Sequence, residues 1–67
     1  MMDDVDIWRS ANVLVQRHAM MAEVIASRRI QTLAECGDDA GAAAWRRILM
    51  AIKELRRAGR KANEALQ

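Results

Sequence analysis

The stretch Ala34-Glu35-Cys36-Gly37-Asp38-Asp39-Ala40-Gly41 decides the fold. Gly37 can take the left-handed conformation that ends a helix, and Asp38 can cap the next helix through its carboxylate. The residues before it read as one helix, about 4–35, and those after it as a second, about 39–65, with a turn at 36–38. The expectation is an all-α chain whose residues 1–67 form a single helical-hairpin domain. Two such antiparallel hairpins would dimerise into a four-helix bundle.

The whole chain is consistent with that reading. Sixty-seven residues bound it to one small domain, and single cores below ~70–80 residues are marginal. Pro and Phe are absent, Gly is scarce, and Ala, Leu, Arg, Met and Glu are common, which favours helix nearly throughout. A single Cys cannot form an internal disulfide, so a secreted, bridge-stapled scaffold is not expected. The start, Met1-Met2-Asp3-Asp4-Val5-Asp6, is acidic and unlike a signal peptide, and no apolar run approaches the ~20 residues of a spanning helix. A cytoplasmic protein with no membrane partner is the expectation.

Charge is unevenly spread. Residues 1–39 carry a net −3 and residues 40–67 a net +5. Such asymmetry suits nucleic acid or an acidic partner, but two helices of opposite sign lying side by side account for it more simply.

Asp3 or Asp4 can cap the first helix, with Asp6 in its first turn. Ile7, Trp8, Ala11, Leu14, Val15, His18, Met21, Ala22, Ile25, Ala26, Ile30 and Leu33 then follow in three- and four-residue steps, forming one broad stripe. Val13, Met20 and Val24 cluster on the opposite face and hint at a second contact surface. In the second helix Gly41, Trp45, Ile48, Ile52, Leu55, Gly59, Ala62 and Leu66 make a heptad-like seam. Folding at Gly37 puts Trp45 near Ile30 and Leu33, and Trp8 near Ala62 and Leu66. Ile48, Ile52 and Leu55 then face residues 20–27. The first stripe is too wide for one seam, which is the motive for the dimer.

Few residues offer chemistry. His18 lies in the apolar stripe, where it reads as a core histidine hydrogen-bonded across an interface more readily than as a switch or ligand. Arg29 projects from the same stripe near the turn. There it would pair with Asp38, Asp39 or the last carbonyls of the first helix, or else bind a ligand. Cys36 reads as an incidental thiol. One His and one Cys make no metal site, and no phosphate loop, nucleophile set or carboxylate pair can be assembled. Neither an enzyme nor a cofactor is expected. Arg46, Lys53, Arg57 and Arg60 form a row about 20 Å long on the second helix that could track phosphates, though no aromatic is interleaved.

The spacing Trp8, His18, Arg29, Leu33, Gly37-Asp38, Gly41, Trp45, Ile48 resembles a family of small alphaproteobacterial proteins of unknown function. Its members carry Trp, His, Arg and then Gly-Asp-x-x-Gly-x-x-x-Trp at the same intervals, over positions 8 to about 55. The family often has Gly after the His, where this chain has Ala19 and so departs from the pattern that would allow a kink or close approach at His18. The resemblance implies a bacterial cytoplasmic origin and no activity.

The favoured function is thus a non-enzymatic interaction or adaptor module acting through helix–helix packing and self-association. Its packing residues would be Trp8, Ala11, Leu14, His18, Met21, Ile25, Trp45, Ile48, Ile52 and Leu55, held by a turn built on Arg29, Gly37 and Asp38. Its partner would be a second copy, with another protein also possible. The second reading is a nucleic-acid-associated regulator using the basic row.

Overall fold

A computed structural model describes the backbone of residues 3–65 and the side chains of residues 3–58. Three helices account for nearly all of it: α1 Asp4–His18, α2 Met21–Glu35 and α3 Asp39–Ala65. No strand occurs among the described residues.

The corner between α2 and α3 is a Schellman turn. The Asp38 N–H donates to the Leu33 carbonyl at 2.8 Å and the Gly37 N–H to the Ala34 carbonyl at 3.1 Å. Gly37 takes the left-handed conformation this requires, with φ of 80°. Asp38 closes one helix and opens the next, since its Oδ1 accepts from the Gly41 N–H at 2.9 Å. Such a cap contributes about 1 kcal/mol. It also explains Gly41, where an added Cβ would lie 2.4 Å from the Asp38 carboxylate and push the cap out of place.

The expected single helix over 4–35 is broken. α1 ends at His18, and Ala19 follows with φ 48° and ψ −116°. Together with Met20 at φ −62° and ψ −26°, this is close to a type II′ turn, whose first central position is normally Gly. The Ala19 N–H still donates to the Val15 carbonyl at 2.9 Å, and the Ala19 carbonyl accepts from Ala22 at 3.1 Å. Both backbone polar groups of Ala19 are therefore bonded. Its cost is conformational, about 1–3 kcal/mol for a residue with a Cβ in this region.

What offsets that cost is a third wall for the core. α2 runs antiparallel to α3, with Glu23 paired to Arg56 and, further along, Arg29 over Trp45. α1 folds back and meets the middle of α3. Asp4 pairs with Arg47, Ile7 and Trp8 lie beside Met50 and Ala51, and Leu14 lies beside Trp45 and Ile48. Ile7, Ala11, Ala22, Ala26, Ile48, Ala51 and Ile52 form one buried cluster drawn from all three helices. A two-helix seam cannot surround a side chain, whereas here Ile48 and Ile52 are 1% and 0% exposed. Burying one Ile stabilises by about 1.5–3 kcal/mol, so covering Ile7, Ile48 and Ile52 outweighs the strain at Ala19.

The fold-back also changes the register expected for α1. Trp8 sits beside Arg47, Met50, Ala51 and Glu54, not at the far end of α3. The side chains of Gly59's neighbours in the expected seam, Ala62 and Leu66, lie outside the described residues, as does any close approach at Gly59.

The break at Ala19 has a mutational signature. Ala19→Gly relieves the strained backbone and is expected to raise stability by about 1 kcal/mol, or about 4–8 °C in Tm. In a continuous helix the same change would lower stability by about 1 kcal/mol. Scanning calorimetry of the two proteins reads the sign.

Candidate interaction surfaces

The core is built from small side chains, and this sets what reaches the surface. Of the eight buried apolar residues among those described, five are Ala and three are Ile, and several larger apolar groups stand wholly or partly outside. Trp8 is 46% exposed, Met50 69% and Val5 63%. Trp45 is only half-buried.

Two regions of the surface gather these groups. On one edge, Ile7, Trp8, Met50 and Ala51 line a hollow of about 290 Å³, with Asp4, Arg47 and Glu54 around it. Its charges are of both signs. Elsewhere, two hollows of about 420 and 360 Å³ meet at Leu14 and Trp45. Arg9, Ser10, Val13 and Ile48 complete the first, and Ile25, Arg28, Arg29 and Thr32 the second. No carboxylate lines either one. This double trough exists only because α1 folds back, since Leu14 and Thr32 are eighteen positions apart in the sequence.

The residues singled out from the sequence are distributed between core and surface. Ala11, Ile48 and Ile52 are buried, Leu14, Trp45 and Leu55 are half-buried against the core, and Ile25 is half-buried. Trp8 is on the surface. His18 is exposed as the last residue of α1, not packed in the stripe, because the helix ends there before its face can meet α3. Met21 is 52% exposed for the same reason, at the first turn of α2. Val13, Met20 and Val24 are exposed, but the break at Ala19 separates Val13 from the other two.

Arg29 differs from the expected ion pair at the turn. Its guanidinium lies over the Trp45 ring, 5.5 Å from the centroid, and no carboxylate of the described residues pairs with it. Lying over the ring, the cation is attracted by the ring's negative face while staying in water. Asp38, its expected partner, is engaged with Gly41.

The charge asymmetry resolves into cross-helix pairs. Arg47 donates to Asp4 and Arg56 to Glu23, tying the basic α3 to one carboxylate on α1 and one on α2, although each of those helices is itself net neutral. The first pair is largely exposed and contributes at most about 1 kcal/mol. Of the basic row, Arg46, Lys53 and Arg57 are exposed on α3, and Arg57 lies 3.8 Å from Glu54. The Arg60 side chain is outside the described residues.

Among the described residues no group of three His, Cys, Asp or Glu side chains could hold a metal ion, and Cys36 is an exposed free thiol. No described helix is long and apolar enough to cross a membrane. Compared with protein families, curated proteins and solved structures, the chain matches none.

Met50, with Arg9 and Arg28, was missed in the sequence reading. Met50 lies just off the α3 seam, and Arg9 and Arg28 read as solvated positions on a straight rod. Only the fold-back places them beside apolar hollows.

A double-mutant cycle separates the two accounts of Arg29. Arg29→Gln and Trp45→Phe are expected to couple by about 0.5–1 kcal/mol in urea unfolding, since the ring face is shared. Arg29→Gln and Asp38→Asn are expected to be additive within the error of the method.

Proposed function

We propose that the protein is a non-enzymatic interaction module that works through helix packing, and that it self-associates through the edge formed by Trp8 and Met50. The observation that carries this reading is the placement of the large apolar side chains. A 67-residue chain has little core to spare, yet Trp8 and Met50 lie in water while the interior is filled mainly by Ala. Exposed aromatic and Met groups around a hollow are the typical centre of a protein interface.

The mixed charges around this edge support a second copy as the occupant. An isologous contact sets one patch against itself, so a rim of a single sign would repel. Here Arg47 lies between Asp4 and Glu54, and a two-fold axis can set positive against negative on both sides. The dimer would then be the bundle in which Trp8 is finally covered.

The exposure of Arg46 and Lys53 on α3 supports nucleic-acid binding as a second reading. It has less in its favour: Glu54 stands against Arg57, and neither Trp lies on that row. A mobility shift at 50 mM salt that disappears at higher salt would support it.

Self-association is checked by sedimentation. The chain is expected to run above its monomer mass of 7.6 kDa at high micromolar concentration. Trp8→Glu with Met50→Glu is expected to return it to a folded monomer, because both side chains stand outside the core. A wild-type protein that is well folded and monomeric at that concentration would contradict the reading.

A further inference from the structure

The double trough around Trp45 has a different character from the Trp8 edge, and its charge identifies what would fill it. Its floor is apolar, made by Val13, Leu14, Ile25, Trp45 and Ile48. Its charged groups are Arg9, Arg28 and Arg29, all exposed, with no carboxylate among the lining residues. None of the three is in an ion pair with a described residue. Two arginines of α3 are answered from within the chain, Arg47 by Asp4 and Arg56 by Glu23. The three around the trough have no such partner and stand together on one apolar groove.

We infer that this trough is a docking groove for an amphipathic helix of another protein, one that carries Asp or Glu on both sides of its apolar stripe. Three arguments select that occupant. A second copy set trough to trough would bring Arg9, Arg28 and Arg29 against their own images, which repels. A small molecule is ill matched, because the hollows are open to solvent and a pocket ligand is normally 70–90% enclosed. An amphipathic helix lays anchors at i, i+3, i+4 and i+7 into a long shallow groove, and two hollows joined at Leu14 and Trp45 offer successive seats for them. Its flanking carboxylates then meet guanidinium groups, which bind them in bidentate fashion. Trp45, already beneath Arg29, becomes the buried anchor at the centre.

This site is independent of self-association, since it shares no lining residue with the Trp8 edge. The two therefore fail separately.

The test uses a displayed library of 18-residue helical peptides with a constant apolar stripe and random Asp, Glu, Lys, Arg, Gln or Ser flanks, selected against the full chain at 150 mM salt. Enriched peptides are expected to carry acidic flanks and to lose at least tenfold in affinity for Arg9→Glu/Arg28→Glu. That variant is expected to keep its circular dichroism, its melt and its sedimentation, because neither side chain has a partner within the described fold. Binding is also expected to weaken as salt rises and to shift Trp emission in a Trp8→Phe background, where Trp45 is the remaining reporter. Enrichment of neutral or basic flanks, no enrichment at all, or equal binding to the charge-reversed variant would overturn the proposal. So would a mixed-sequence oligonucleotide that displaces the peptides and loses its own binding to the same variant, because the groove would then be reading anionic charge alone.

Discussion

The burial of Ile48 and Ile52 on α3 is the interaction that organises the remainder of the molecule. Among the described residues they are the largest side chains that water does not reach, and they can be covered only if α3 is approached from more than one side. α2 supplies Ala22 and Ala26, whose small size lets the helices come close, and α1 supplies Ile7 and Ala11. The chain brings α1 into place by reversing at Ala19, in a conformation that a residue with a Cβ adopts only under tertiary constraint. Local strain and core formation are thus two sides of one arrangement. Dispersion and hydrophobic burial around two isoleucines outweigh a backbone cost of a few kcal/mol at one alanine.

A core filled chiefly by Ala has a consequence at the surface. Helices packed this closely leave no interior space for Trp or Met, so Trp8, Met50 and half of Trp45 are displaced outward. Where they emerge, the neighbouring charges differ. Around Trp8 they are mixed and suited to self-contact, and around Trp45 they are all positive and suited to an acidic partner. The small core and the two apolar surfaces follow from the same choice of residues.

The corner at Gly37-Asp38 was legible because each step there is local: a glycine that must turn left-handed and a carboxylate that caps the next helix; that Gly41 makes room for this carboxylate emerged only with the structure. The α3 seam was legible for a similar reason, since Trp45, Ile48, Ile52 and Leu55 keep helical spacing and all touch the core. The break at Ala19 was not. Ile7, Ala11, Val15, His18, Ala22 and Ala26 step by four and three without interruption, so the stripe fits a straight helix as well as a folded one. Neither Ala nor Met signals a stop, and the deciding energy lies in contacts with α3. Everything that depends on the fold-back was hidden with it, including the exposure of His18, the position of Trp8 and the trough lined by Leu14 and Thr32.

The reversal at Ala19 is therefore the claim on which the account rests, and a distance measures it directly. In a protein with Cys36→Ser, spin labels would be placed at Val13 and Thr32, both exposed, and their separation read by pulsed dipolar spectroscopy. A continuous helix would hold the two backbones about 28 Å apart by its rise of 1.5 Å per residue. The folded-back chain puts them on adjoining hollows that share Leu14 and Trp45, and a distribution centred well below 28 Å is the expected result. A single narrow distribution near or above that value would show α1 and α2 to be one rod and would contradict the account.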